Sequence, residues 1–222
     1  MSSGSASNRA RSNGVFVVFE GGDGVGKSTQ SALLADRLRA EGQDVVVTFE
    51  PGDTAAGRQI RQIVLDPATG DLAPRAEALL YAADKAHHLH EVVLPALARG
   101  AVVISDRYVD SMLAYQGAGR VLDLAEVTAM ARWATDDLRP DLTVLLDLDP
   151  SQAVAEILDK DRLEGAGDDF HQRVRHYFLE LAAADPEHYL VLPARTGREA
   201  LAEAVLQRLR PFLSQAADRP EP

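Results

Sequence analysis

The feature that most constrains this chain is the join written Phe19-Glu-Gly-Gly-Asp-Gly-Val-Gly-Lys-Ser-Thr-Gln30. Gly21 and Gly26-Lys27-Ser28 fit the pattern G-x-x-x-x-G-K-S/T, directly after the apolar run VFVVF and directly before a helix-like segment. A glycine-rich turn in that context lets backbone N–H groups point inward at phosphate oxygens, and the helix N-terminus adds partial positive charge. Lys27 then reaches the outer phosphates and Ser28 ligates magnesium. Gly21, Gly22, Gly24, Val25, Gly26, Lys27, Ser28 and Thr29 are therefore the candidate residues for a nucleoside triphosphate. Asp23, an acid inside this loop, works against phosphate affinity unless it faces a cation or a second substrate. Its plainer reading is a turn residue.

Apolar runs at 15 to 19, 45 to 49, 101 to 104, 142 to 148 and 189 to 192 are short, continuous and rich in Val, Ile and Leu. Strands buried on both faces of a parallel sheet read this way. Between them lie helix-like segments at 27 to 41, 55 to 65, 73 to 99, 123 to 137, 151 to 158, 168 to 184 and 197 to 213. The alternation predicts an α/β domain with a doubly wound, five-stranded parallel sheet and helices on both faces. A chain of 222 residues with 46% apolar content suits one such domain, taken as 14 to 213. Residues 1 to 13 read as a flexible leader and 214 to 222 as a flexible tail.

Composition narrows the partners. A formal net charge of −11 speaks against nucleic-acid binding, so an anionic ligand has to be met by a local cluster of positive groups. With no cysteine the simplest compartment is a reducing cytoplasm, and no apolar run approaches a membrane span. The strand at 101 to 104 runs into Ser105-Asp106-Arg107-Tyr108, and the carboxyl ends of parallel strands are where ligands of open α/β folds bind. Asp106 is suited to hold hydrated magnesium, and Arg107 offers a planar donor fork to phosphate oxygens. A plain Asp–Arg ion pair at a strand end is the competing reading. His87, His88 and His90 have partial metal-ligand spacing, but they lie in a long helix and phosphoryl transfer needs no zinc.

Taken in order, FEGGDGVGKST, T48-F-E-P-G-D-T54, L79-L-Y-A-A-D-K85 and S105-D-R-Y-V-D-S-M-L-A-Y-Q-G-A-G-R120 resemble the thymidylate kinase family of P-loop NTPase fold. The similarity continues through R139-P-D-L-T-V-L-L-D147, D161-R-L-E164 and the segment from Phe170 to Leu181. It implies an ATP- and magnesium-dependent nucleoside monophosphate kinase that makes dTDP from dTMP as a homodimer. On that resemblance Lys27 and Ser28 serve ATP and magnesium, Asp106 organises magnesium, Arg107 contacts the acceptor phosphate and Asp23 faces the acceptor. Tyr81 stands where the family stacks a Phe on thymine, and Gln116 where it contacts the base. Glu50, Pro51, Arg58, Lys85, Ser111, Met112 and Tyr115 complete the implied acceptor site. The resemblance also implies a lid at about 159 to 167 that brings a basic residue to the moving phosphoryl group, with Arg162 or a later arginine as the candidate.

Several positions depart from the family pattern. Lys85 replaces an Arg that reads thymine, and Met112 replaces a small hydroxyl residue. Phe49 replaces an Arg and Asp53 a Gly, which removes or opposes positive charge near the acceptor, with Arg58 and Arg61 available to restore it. The lid offers only Lys160 and Arg162, with Arg173 and Arg175 further along. These departures motivate two alternatives: a kinase for a different or modified pyrimidine monophosphate, and a nucleotide-binding protein with weak or no catalysis. A GTP-driven switch is disfavoured, since Asp159-Lys160-Asp161-Arg162 is the nearest string to a guanine-reading segment and lacks its leading Asn or Thr.

Overall fold

The computed structural model describes residues 14–153, 163 and 167–217. The leader, the helix expected beyond residue 153, most of the lid with Lys160 and Arg162, and residues 218–222 lie outside the described residues. Strands β1 (Val15–Glu20), β2 (Val45–Phe49), β3 (Val102–Asp106), β4 (Leu142–Asp147) and β5 (Tyr189–Pro193) form one sheet in the order β2-β3-β1-β4-β5. Every pairing is parallel, as the continuous apolar runs predict.

The two-residue period of β1 divides the core. Val15, Val17 and Phe19 face Leu34 and Leu38 of α1 (Lys27–Ala40) and Val205, Leu206 and Leu209 of α9 (Arg198–Ala217). Phe16 and Val18 face the other way, onto Leu89, Val93, Leu97 and Tyr108. Full burial of each such side chain contributes roughly 1.5–3 kcal/mol, which fixes the strand's register against its neighbours.

The chain between β2 and β3 forms α2 (Ala55–Leu65), α3 (Pro74–His88) and α4 (Leu94–Ala98), with a wide π turn at Leu89–Val93. The single helix expected over 73 to 99 is interrupted there. Pro95 has no N–H to give the preceding turn, and a wide turn relieves the missing bond.

The helical stretch from α5 (Val109–Met112) through the wide turn Leu113–Gly119 is absent from the sequence reading. Its glycines argue against a helix by propensity, but here they permit close approach: a Cβ on Gly119 would lie 2.6 Å from the Phe170 ring. The remaining helices are α6 (Leu124–Ala134), the short α7 (Pro150–Ala153) and α8 (Asp168–Ala184). The expected helix over 123 to 137 stops at Ala134, and Asp136 and Asp137 adopt positive φ.

Candidate active site

Phe19 of β1 pairs in register with Asp106 of β3, so the loops leaving these strands lie side by side. One leads to α1 on one face of the sheet, the other to α5 on the opposite face, and a crevice opens between them. Gly21 opens the first loop with φ 133°, and a Cβ there would come within 2.4 Å of the Leu146 carbonyl oxygen. Only glycine fits.

Lys27 is buried at the start of α1, and its Nζ donates to the carbonyls of Gly21 at 3.2 Å and Gly22 at 2.6 Å. Burial, and then the nearby Arg107 cation, push its pKa down to about 8. An incoming polyphosphate would bring the negative charge that favours the ammonium form in this buried place. Ser28 Oγ donates to Asp106 Oδ2 at 2.6 Å, which brings together the two oxygen ligands read from sequence for magnesium. Two hard oxygens beside a phosphate cradle suit that ion.

Arg107 ties the loop to the neighbouring cleft. Its backbone adopts φ 73°, with its N–H bonded to the Phe19 carbonyl at 2.9 Å. Nη1 donates to the Gly21 carbonyl and to Ser111 Oγ, both at 3.0 Å, while Nη2 pairs with Asp23. Its guanidinium carbon lies 5.1 Å from the Tyr115 ring centroid, and Tyr115 in turn donates to Asp23 at 3.1 Å. Burial opposes ionisation of Asp23, but Arg107 and Lys27 outweigh it and hold the carboxyl below its usual range. Asp23 thus faces a cation, the condition under which an acid is tolerated in this loop.

Beneath Arg107 lies a residue the sequence reading missed. Glu20, fully buried at the end of β1, accepts from the backbone N–H of Tyr108 at 2.8 Å and from Ser111 Oγ at 2.6 Å. It fixes the turn that carries Arg107. Burial, reinforced by Asp110, raises its pKa to about 7.

The cleft beside Arg107 is a half-open depression lined by both polar and apolar side chains. Every residue assigned from sequence to the acceptor lines it except Arg58. Arg58 and Arg61, one helical turn apart, are both exposed, but only Arg61 reaches the cleft, where it donates from Nη1 to the Pro51 carbonyl at 2.8 Å. Residues three apart lie on the same side of a helix, so spacing alone does not choose between them, and the packing of α2 on α3 does. Leu65 and Leu163 are further lining residues absent from the sequence reading.

Lys85 is 2% exposed and donates to Glu50 Oε2 at 2.5 Å. Glu50 Oε1 meets His88 Nδ1 at 2.7 Å, and His88 Nε2 meets Thr48 Oγ1 at 2.5 Å. Burial would raise the Glu50 pKa, but Lys85 and His88 reverse this and lower it. Next to them Asp84 accepts from the Gly52 N–H at 3.1 Å, and burial together with Glu50 raises its pKa to about 6.

The two substitutions near Glu50 take roles other than opposing the acceptor. Asp53 accepts from Thr48 Oγ1 at 2.5 Å, away from the cleft lining. Phe49 supports Arg61, whose guanidinium carbon stands 5.8 Å from its ring centroid. The later arginines are engaged elsewhere: Arg175 pairs with both Asp147 oxygens at 2.8 and 3.0 Å, and Arg173 donates to the Gly119 carbonyl at 2.9 Å.

Comparison with known proteins agrees with this geometry. The family model described as thymidylate kinase matches residues 19–205. The thymidylate kinase of Cutibacterium acnes is 58% identical over 202 residues, covering 91% of this chain and 99% of the relative. That of Desulforudis audaxviator is 49% identical over 211 residues, covering 94% of each. Among solved structures, a crystal structure of thymidylate kinase from Ehrlichia chaffeensis superposes with a TM-score of 0.74 at 30% identity, covering 89% of this chain and 98% of that one. With the family model spanning most of its length and relatives this similar over nearly all of it, the chain belongs to the thymidylate kinase family.

Proposed function

We propose that the protein transfers the γ-phosphoryl group of ATP to dTMP, giving ADP and dTDP. The observation that carries the reading is Arg107. Its guanidinium touches both Gly21 and Asp23 of the phosphate loop and Ser111 and Tyr115 of the cleft, so one cation spans donor and acceptor. An oxygen of the acceptor phosphate forms the new P–O bond while the bond to the ADP oxygen breaks. The transferring group needs positioning and charge neutralisation rather than a covalent intermediate.

Around that step each side chain has a role. Residues 21 to 29 hold ATP, and Ser28 and Asp106 would hold Mg2+, which neutralises phosphate charge when bound. Tyr81 forms a wall for the base, with Lys85, Met112 and Gln116 at its edge. Within the cleft Arg107 faces Asp23 and Lys85 faces Glu50, whereas Arg61 has no carboxylate partner among the described residues. Arg61 therefore supplies the surplus positive charge for the acceptor phosphate, the task that Arg58 was a candidate for. Arg162 is assigned the lid cation on the sequence pattern alone.

The same reading extends to assembly and place. Leu79 on α3 is 59% exposed and Trp133 on α6 is 83% exposed, on two helices that pack against each other. We take this face as the homodimer contact. No helix among the described residues is long and apolar enough to cross a membrane, and the cysteine-free chain suits a cytoplasmic setting.

Turnover measured with ATP, magnesium and a panel of dTMP, dUMP and dCMP tests the assignment. Preference for dTMP is expected. A better rate with dCMP would give the cleft to another pyrimidine.

A further inference from the structure

Glu77 stands outside the acceptor cleft, fully buried in α3, yet it holds a residue that lines it. Gln116 Nε2 donates to Glu77 Oε1 at 3.1 Å. The same carboxylate takes Arg120 Nε at 3.1 Å and Arg120 Nη2 at 3.2 Å, a two-pronged ion pair that keeps it an anion. Arg120 is itself braced by the Phe170 ring, 5.1 Å from its guanidinium carbon. An ionised carboxylate can only accept hydrogen bonds, so only the amide's NH2 side can face it. The orientation of Gln116 follows from this chemistry whichever way its amide atoms are assigned. Its Oε1 carries no hydrogen bond among the described residues and is left for the cleft, which Gln116 lines together with Lys85.

We propose that the Glu77–Arg120 pair is a positioning clamp that sets base specificity by locking the Gln116 amide with its carbonyl toward the acceptor base. The proposal rests on the reading of the cleft as the dTMP site. Lys85 can only donate, and the clamped Gln116 turns its acceptor oxygen toward the cleft. Together they present the complement of a 4-keto, 3-NH pyrimidine edge, with O4 receiving from Lys85 and N3–H donating to Gln116. Cytosine shows the reverse pattern, a donor at position 4 and an acceptor at position 3, so both contacts oppose it. A buried site that loses or inverts a hydrogen bond discriminates strongly, because its own polar groups are left without partners. The clamp thus accounts for retained keto selectivity despite Lys in place of Arg and Met in place of a hydroxyl.

Glu77→Gln lifts the one-way constraint, since a Gln at 77 can donate as well as accept and lets the Gln116 amide turn over. Specificity constants for dTMP, dUMP and dCMP are measured in the wild type, Glu77→Gln, Gln116→Leu and the double variant. The expected result is a fall of about tenfold or more in the dTMP:dCMP ratio for Glu77→Gln, with dTMP:dUMP unchanged because both bases share the keto edge. In the Gln116→Leu background the same change should leave the dTMP:dCMP ratio where it is. Should Glu77→Gln fold poorly, Glu77→Gln/Arg120→Leu removes the charged pair together and leaves no buried cation behind. A Glu77→Gln variant that loses activity on all three nucleotides by one common factor overturns the clamp, as does a ratio change that persists without Gln116. A wild type with no preference for dTMP over dCMP overturns both the clamp and the functional reading beneath it.

Discussion

The donor loop and the acceptor cleft are built by opposite means. The loop is backbone: one short segment between β1 and α1, with Lys27 held over its own carbonyls. The cleft is side chains, drawn from α2, α3, the turn after β2 and the helical stretch after β3. Positive charge in the cleft is almost all matched, with Arg107 facing Asp23 and Lys85 facing Glu50. A local backbone device tolerates changes around it, whereas a paired network fails when one partner goes.

The largest effect should come where the two regions meet. Arg107→Ala is expected to lower kcat/KM by about 10³-fold or more, and steady-state kinetics should show the loss with respect to both substrates. A loss confined to ATP would separate the regions and break the comparison.

Glu50→Gln tests the paired network alone. It strands Lys85 without its carboxylate in a buried place and should cost about 3 kcal/mol of stability, read from the denaturant midpoint. By contrast Arg61→Ala, which removes the cleft cation without a carboxylate partner among the described residues, should raise the KM for dTMP roughly tenfold while leaving that for ATP alone. Arg58→Ala, on the exposed face one turn away, should change either constant less than about twofold.

Glu20 gives a smaller effect, one that depends on pH. Its folded pKa of about 7 lies above the ordinary 4.5, so the folded state holds its proton more tightly. Stability from this group is present below pH 4.5 and is lost as pH rises to about 7. Glu20→Gln should remove that slope, and the difference in Tm from wild type should move by about 5–10 °C between pH 5 and pH 8 in favour of the variant.

These contrasts also explain what could be read in advance. The loop, the five strands and the Asp-Arg-Tyr turn were legible because each is contiguous in sequence. Arg58 was chosen alongside Arg61 because spacing alone does not tell which side of α2 meets the cleft; the packing of α2 on α3 does. The stretch 109–119 was missed because its glycines read as loop, while they serve to admit Phe170 and Leu124 at close range. Glu20 and Glu77 were missed for a shared reason. A carboxylate is expected at the surface, and only the folded chain brings Ser111 to one and Arg120 to the other. The lid cation stays with the sequence pattern, since Arg173 and Arg175 are held by Gly119 and Asp147.

The most direct test of the account is ADP formation from ATP and magnesium with and without dTMP, with dTDP quantified in the same samples. The account predicts ADP only when dTMP is present, one dTDP for each ADP. ADP released without an acceptor, or nucleotide bound with no dTDP formed, would contradict it.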